Sequence, residues 1–358
     1  MKYLAGFALA LSISTPAFAQ EKPFTPQAIV TGGLVVPLYP PDSPLLKKER
    51  LGEAEVVTLS TTVAGRINSI VNVHNPTIEV HRAGGNNTGA AVIVVPGGGH
   101  NNLVIGSEGA DFVPFFFNYG VNTVILRYRL RKDGYVAEVD AVNDMLQAIK
   151  LVRANAAEWG IDPKKIGAMG FSAGAELTAP AAIKYLEFDK THDVAGNPLA
   201  KVSSRPDFVG VIYPGPTPFR DGKQAAIPDD APPAFLASAG VGDAVHAVWA
   251  DEFFAAFLKA RIPNLEMHIY ANGGHGGGLT DRGGIPLGTW QYRFIEWFRD
   301  LGFLQKAGVE TKAARDVAAR VAKPPALRLS AGLNPRARPF VTSSSRPGGK
   351  MCCNSRLH

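Results

Sequence analysis

Residues 165–177 read KIGAMGFSAGAEL. The run KIGAMG has the small, apolar composition of a buried strand, and a helix is expected from about Ala173, so Ser172 stands at a strand-to-helix junction. It is flanked at two positions' distance by Gly170 and Gly174. A sharp turn of that kind exposes a hydroxyl for nucleophilic attack, and it needs glycines because larger side chains would collide. With 38 glycines in 358 residues, Gly-x-Ser-x-Gly is a weak signal alone, and the segment also reads as a glycine-lined helix start. The surrounding sequence has to decide.

Outward from this segment, strand-like and helix-like stretches alternate. AEVVTLS (54–60) and TIEVHRA (77–83) alternate apolar and polar residues, whereas AVIVVP (91–96) and TVILRYRL (123–130) are continuous apolar runs suited to the middle of a sheet. Between Ala141 and Trp159, apolar residues fall at helical spacing up to Gly160. FVGVIYP (208–214), AFLASAG (234–240) and LEMHIY (265–270) are further strands, with helical stretches AVWADEFFAAFLKARI (247–262) and WQYRFIEWFRDLGFL (290–304) between and after them. Such alternation predicts an α/β fold, a mostly parallel sheet with helices on both faces. The intervening segments are too short for a second domain or a large lid.

The ends differ from this body. Lys2, an apolar run from Tyr3 to Ile13 and Ala17-Phe18-Ala19 have the form of a signal peptide cut after Ala19, and the apolar run is too short to span a bilayer. Export to the periplasm or the medium is expected, with no membrane anchor. Residues 20–52 are proline-rich with little periodicity and are expected to wrap the surface of a domain over 53–322. Residues 323–358 carry seven basic residues and no acid, and their Pro, Ser, Gly and Arg content has no hydrophobic period, so a disordered tail is expected. Without that tail the net charge of +6 becomes −1, which removes the case for a nucleic-acid partner. The two cysteines, Cys352 and Cys353, are adjacent and can build neither a disulfide framework nor a cysteine metal site.

A serine nucleophile needs a base and an acid to orient it, and in a parallel sheet these belong on loops at the carboxyl ends of later strands. Asp243 follows AFLASAG in VGDAVH (241–246), and His275 follows LEMHIY in ANGGHGGG (271–278). The order Ser172, Asp243, His275 is the one expected for this arrangement. Asp251 on the following helix competes for the acid role, His268 reads as a structural side chain within a strand, and His246 reads as a surface-loop residue able to line the site. Negative charge on a tetrahedral intermediate needs backbone N–H donors. PGGGH (96–100) supplies bare amides at Gly98 and Gly99, to be joined by that of Ala173 after the nucleophile. A phosphate loop is the rival reading of these glycines, but neither the Lys-Ser/Thr of a P-loop nor a spaced Gly-x-Gly-x-x-Gly is present.

NPTIEVHRA (75–83), VIVVPGGGH (92–100), SEGADF (107–112), VILRYRL (124–130), residues 141–174, GVGDAVH (240–246) and GGHGGG (273–278), in this order and spacing, resemble the exported α/β-hydrolases of the acetyl esterase and bifunctional acetyl xylan and feruloyl esterase type. The resemblance covers roughly residues 55–304. It implies an α/β-hydrolase fold and a cofactor-free, metal-free carboxylic-ester hydrolase acting on small-molecule or polysaccharide esters. Ser172 would be the nucleophile, His275 the base, Asp243 the acid, and the Pro96–Gly99 turn the oxyanion loop. His100 stands where an aromatic residue commonly follows the glycines, and Ala175-Glu176 where Gly-His is frequent. These departures make His100 and Glu176, with His246, candidates for lining the substrate pocket. An exported serine peptidase and a catalytically silent binding protein are the alternatives. The oligomeric state, the acyl group and the alcohol are not legible.

Overall fold

The computed structural model describes residues 22–192, 197–279 and 285–323. The proposed leader and residues 324–358, with both cysteines and His358, lie outside the described residues. In chain order the strands are β1 (Leu34–Pro37), β2 (Val56–Leu59), β3 (Ile67–Val71), β4 (Thr77–His81), β5 (Ala91–Val95), β6 (Asn122–Arg127), β7 (Ile166–Phe171), β8 (Val209–Ile212), β9 (Ala234–Val241) and β10 (Glu266–Asn272). The helices are α1 (Phe112–Phe117), α2 (Val142–Ala154), α3 (Ala156–Trp159), α4 (Ala175–His192), α5 (Ala244–Lys259), α6 (Trp290–Asp300) and α7 (Lys312–Ala322).

Eight strands form one sheet in the order β1-β4-β6-β5-β7-β8-β9-β10. The pairs β1–β4 and β4–β6 are antiparallel, and the five from β6 through β10 are parallel. A parallel strand covered by helices must be apolar on both faces, and β5 shows the consequence directly. Ala91, Ile93 and Val95 enter a core shared with α2 and α4, while Val92 and Val94 enter the opposite one with Phe112, Phe116, Phe294 and Phe298 of α1 and α6. The same period of two splits β8 and β9. Val209, Val211 and Leu236 pack with Phe253 and Phe257 of α5, whereas Phe235 and Ala237 face α6.

Three expectations change. The segment 20–52 does more than wrap the surface, because Leu34–Pro37 joins the sheet as edge strand β1. The residues before it are fastened by buried Glu79, which accepts from the amides of Ile29 (2.7 Å) and Val30 (3.0 Å) and from Arg127 Nη2 (3.0 Å). A strand ending in proline is tolerated at an edge, where the missing N–H costs no ladder bond. AEVVTLS is a strand but not of the main sheet. Its β2 pairs only with β3 in a separate ribbon, where Val56, Val57 and Leu59 stay exposed. Finally α7, which the sequence reading did not name, starts at Thr311, whose Oγ1 accepts from the amide of Ala314 at 3.0 Å. Lys323 closes that helix.

Candidate active site

Strand β7 ends at Phe171, a single helical turn spans Ser172–Gly174, and α4 follows from Ala175. Ser172 has φ +51°, a left-handed conformation that costs a serine energy and is held only when its surroundings enforce it. The flanking glycines show how. A Cβ on Gly170 would overlap the carbonyl of Gly174 and Oγ1 of Thr178, and one on Gly174 would overlap the carbonyl of Val95. The turn therefore closes only with hydrogen at both positions, and the hydroxyl is lifted to the carboxyl edge of the sheet.

Two later strand ends arrive at the same edge. Asp243 lies between β9 and α5, and His275 in the loop after β10. His275 Nε2 is 2.8 Å from Ser172 Oγ, and its Nδ1 is 3.0 Å from Asp243 Oδ2. The ionised carboxylate only accepts, so Nδ1 carries the proton and leaves Nε2 free to accept from the serine hydroxyl. Asp243 is buried and its partner imidazole about one-third exposed. Asp251, the rival for the acid position, lies exposed on α5. Of the other described histidines, His74 bonds Tyr135, His81 bonds Glu79, His268 bonds Glu266, and His192 stacks on Phe188.

His246 is not a surface-loop residue. The first turn of α5 carries it back over Asp243, where its Nδ1 donates to Oδ1, and its ring stacks on His275 with centroids 3.8 Å apart and planes 26° from parallel. Burial, followed by the charge of His275, holds its pKa below the usual value. A neutral His246 can lie against His275 without charge repulsion. Asp243, His246 and His275 each bring one ligand-capable atom within 4.8 Å of the others. Both Asp243 oxygens are already engaged by imidazole nitrogens, so the cluster holds itself together by hydrogen bonds.

The glycine turn after β5 lies opposite. Tyr128 Oη donates to the carbonyl of Pro96 at 2.8 Å, and the amide of Gly97 donates to Glu108 Oε2 at 2.8 Å. Among the described residues, the amides of Gly98 and Gly99 donate to no protein acceptor. His100, also left-handed at φ +59°, turns the chain into the interior, and its Nε2 meets Glu176 Oε2 at 3.3 Å. Both residues line a cleft of about 210 Å³. Of the three proposed lining residues, His246 stands over Asp243, and His100 and Glu176 line the cleft.

The sequence reading missed Glu108 and Tyr213. Glu108 is 3 % exposed, and burial pushes its carboxyl pKa above the usual range. Its Oε1 accepts from Tyr213 Oη at 2.9 Å, and that oxygen accepts from the amide of Gly278 at 3.0 Å. One buried chain of contacts therefore joins the glycine turn to the loop carrying His275, whose ring lies at 70° to that of Tyr213 with centroids 5.2 Å apart. Glu108 within SEGADF was the available signal, since a carboxylate next to an apolar stretch must find partners if the fold buries it.

Comparison with known proteins agrees with this architecture. The family model described as BD-FAE matches residues 80–220, which include the glycine turn and Ser172 but stop before Asp243 and His275. An acetyl ester-xyloside bifunctional hydrolase from Caldicellulosiruptor lactoaceticus superposes with a TM-score of 0.59 at 23% identity, covering 76% of this chain and 97% of that one. A thermophilic esterase, Est2, from Thermogutta terrifontis gives 0.54 at 21% identity, covering 72% and 96%. The chain has the α/β-hydrolase fold. The chain is also 35% identical over 109 residues to the endo-1,4-beta-xylanase B of Butyrivibrio fibrisolvens. The match takes in 30% of the chain and spans only 16% of the relative.

Proposed function

We propose that this α/β-hydrolase cleaves carboxylic esters through an acyl-enzyme, and that its substrates are acetyl and other short-chain esters, including those of plant polysaccharide. The observation that carries the reading is the unbroken hydrogen-bonded chain from Ser172 through His275 to Asp243. In the first half-reaction Ser172 Oγ attacks the ester carbonyl as Nε2 of His275 takes its proton. The carbonyl oxygen becomes an oxyanion facing the amides of Gly98, Gly99 and Ala173. His275 then hands the proton to the departing alcohol oxygen, leaving an acyl-serine. In the second half-reaction His275 deprotonates a water that attacks the acyl carbon, and returns that proton to Ser172 as the carboxylic acid leaves.

Asp243 keeps His275 in the required tautomer and balances the imidazolium that forms. Every step is a proton transfer or an acyl transfer among these groups, and none calls on a metal or cofactor. The likeness to an acetyl ester-xyloside hydrolase and to an esterase, together with the BD-FAE match, supports the ester class. No helix among the described residues is long and apolar enough to cross a membrane. The leader-like residues 1–19 support export.

The test is p-nitrophenyl acetate turnover together with fluorophosphonate labelling. Wild type should hydrolyse the ester and take one label at Ser172. Ser172→Ala should fold, lose the label and lose about 10⁴-fold or more in kcat. A folded Ser172→Ala protein with wild-type turnover would remove Ser172 from the mechanism.

A further inference from the structure

The cleft beside Ser172 is charged to a degree that the hydrolysis of a neutral acetyl ester does not require. Its wall is tied to the backbone of the nucleophile. The amide of Gly215 donates to the carbonyl of Ser172 at 3.2 Å, and the chain from Pro216 through Lys223 continues along the cleft wall. The opposite wall is the α4 face that bears Glu176 and, two turns further, Lys184. Lys184, Arg220 and Lys223 therefore face one volume from two elements.

Among the described residues, none of the three forms an ion pair or a side-chain hydrogen bond. Of the two lining acids, Glu138 is paired with Arg131 at 2.7 Å, while Glu176 accepts from His100 at 3.3 Å and keeps its negative charge. At its inner end the cleft has a different kind of vacancy. His100 is 2 % exposed, and its Nδ1 has no hydrogen-bond partner. With Nε2–H donating to the Glu176 carboxylate, Nδ1 is left as an acceptor. Burying an acceptor without a partner costs free energy, so the position of His100 is held against that cost by its packing.

Resting on the esterase reading, we propose that the cleft takes an acylated sugar that carries a carboxylate. The carboxylate of a uronic acid unit lies among Lys184, Arg220 and Lys223, with its sugar ring toward His100 and Glu176. The dimensions agree with this occupant. At about 210 Å³ the cleft is smaller than the roughly 300–1,000 Å³ of pockets that enclose drug-sized ligands, so it fits one sugar-sized group. Its cationic mouth is open to solvent, which allows neighbouring sugar units to continue outward. Arginine offers a planar pair of donors to a carboxylate, and the lysines add mobile point charges.

The experiment compares kcat/KM for an O-acetylated methyl glycosiduronate with that for its carboxyl methyl ester, which has the same sugar and acetyl group without the charge. Wild type should favour the free acid by about tenfold at low ionic strength, as expected for a few solvent-facing charge contacts. That preference should shrink toward parity near 1 M salt, where screening extends only about 3 Å. The variant Lys184→Gln/Arg220→Gln/Lys223→Gln should lose the preference, and Lys184→Glu/Arg220→Glu should reverse it. All of these side chains are solvent-facing, and thermal melts check that each variant folds.

Equal rates on acid and ester, or a preference that survives the triple variant, would overturn the proposal. A second pair separates the two sides of the ester, p-nitrophenyl hemisuccinate against p-nitrophenyl butyrate. If only the hemisuccinate is favoured, the cations serve the acyl group and the uronate assignment is wrong. Failure of wild type on p-nitrophenyl acetate itself would instead refute the esterase reading. Turnover of that ester with none of either acetylated sugar would refute the subsite alone.

Discussion

Asp243 serves two imidazoles at once, with Oδ2 facing His275 Nδ1 at 3.0 Å and Oδ1 accepting from His246 Nδ1. A buried carboxylate is held in place by the donors that reach it, and here one donor belongs to the base and the other to a residue stacked on that base. Removing His246 leaves Oδ1 without a donor and takes away the ring against which His275 lies. We expect His246→Ala to fold and still take a fluorophosphonate label. Its kcat should be about 10- to 100-fold lower, the range seen when an orienting partner is lost, with KM little changed. Wild-type kcat in this variant would reduce His246 to a packing residue.

The same histidine predicts an acid-sensitive term in stability. Its folded-state pKa is held below the ordinary 6.5 by burial and by His275. Between the lowered value and 6.5 the unfolded chain binds more protons than the folded one, so unfolding becomes easier as pH falls through that window. Above about pH 6.5 the effect vanishes. His246→Gln, which cannot titrate, should show a smaller loss of melting temperature from pH 7.5 to 5.5 than wild type. An equal loss in both would show that other groups control the acid limb.

Glu108 tests whether the glycine turn must be held rigid. Its two oxygens accept from the amide of Gly97 and from Tyr213 Oη, and a glutamine has only one acceptor oxygen for those two donors. Glu108→Gln should let the Gly98 and Gly99 amides drift. An amide donor matters most once the oxyanion has formed, so kcat should fall by about tenfold or more while KM stays near wild type. A rise in KM at unchanged kcat would place Glu108 in substrate binding instead.

How much of this was legible follows from what each signal depends on. The buried strands β5 and β7 were plain in the sequence because a parallel strand covered on both faces has to be apolar throughout. Ser172, Asp243 and His275 were legible because each follows a strand, and parallel strands deliver their ends to one edge. Edge strand β1 was hidden, since four residues ending in proline carry no period and pair only through a long-range partner, β4. His246 was hidden for a related reason. VGDAVH gives no sign of whether the chain leaves Asp243 as a loop or as a helix, and only the helix folds His246 back over the acid. The choice between Asp243 and Asp251 also turns on this point. Asp243→Asn should be severely impaired, and Asp251→Asn, altering an exposed side chain, should leave kcat unchanged.

Acyl length is the remaining question that the site's walls can answer. Between β8 and β9 the described residues form only the short turn Arg220–Gly222, so no helical lid covers the serine from that side. The cleft walls interleave Ala137, Val142, Leu177 and Pro180 with His100, Glu138, Glu176, Lys184, Arg220 and Lys223, so charged groups interrupt the apolar surface offered to an alkyl chain. Each methylene left in water forgoes about 0.8 kcal/mol of burial, close to a fourfold loss in relative binding per carbon against an enzyme with an apolar channel. Beyond a few carbons the added chain should bring only steric cost. In a p-nitrophenyl ester series from two to sixteen carbons, kcat/KM should be highest at two to four carbons and fall steadily past about eight. A maximum at twelve carbons or more would require an apolar channel that these walls do not provide, and it would refute the short-acyl reading while leaving the Ser172 mechanism in place.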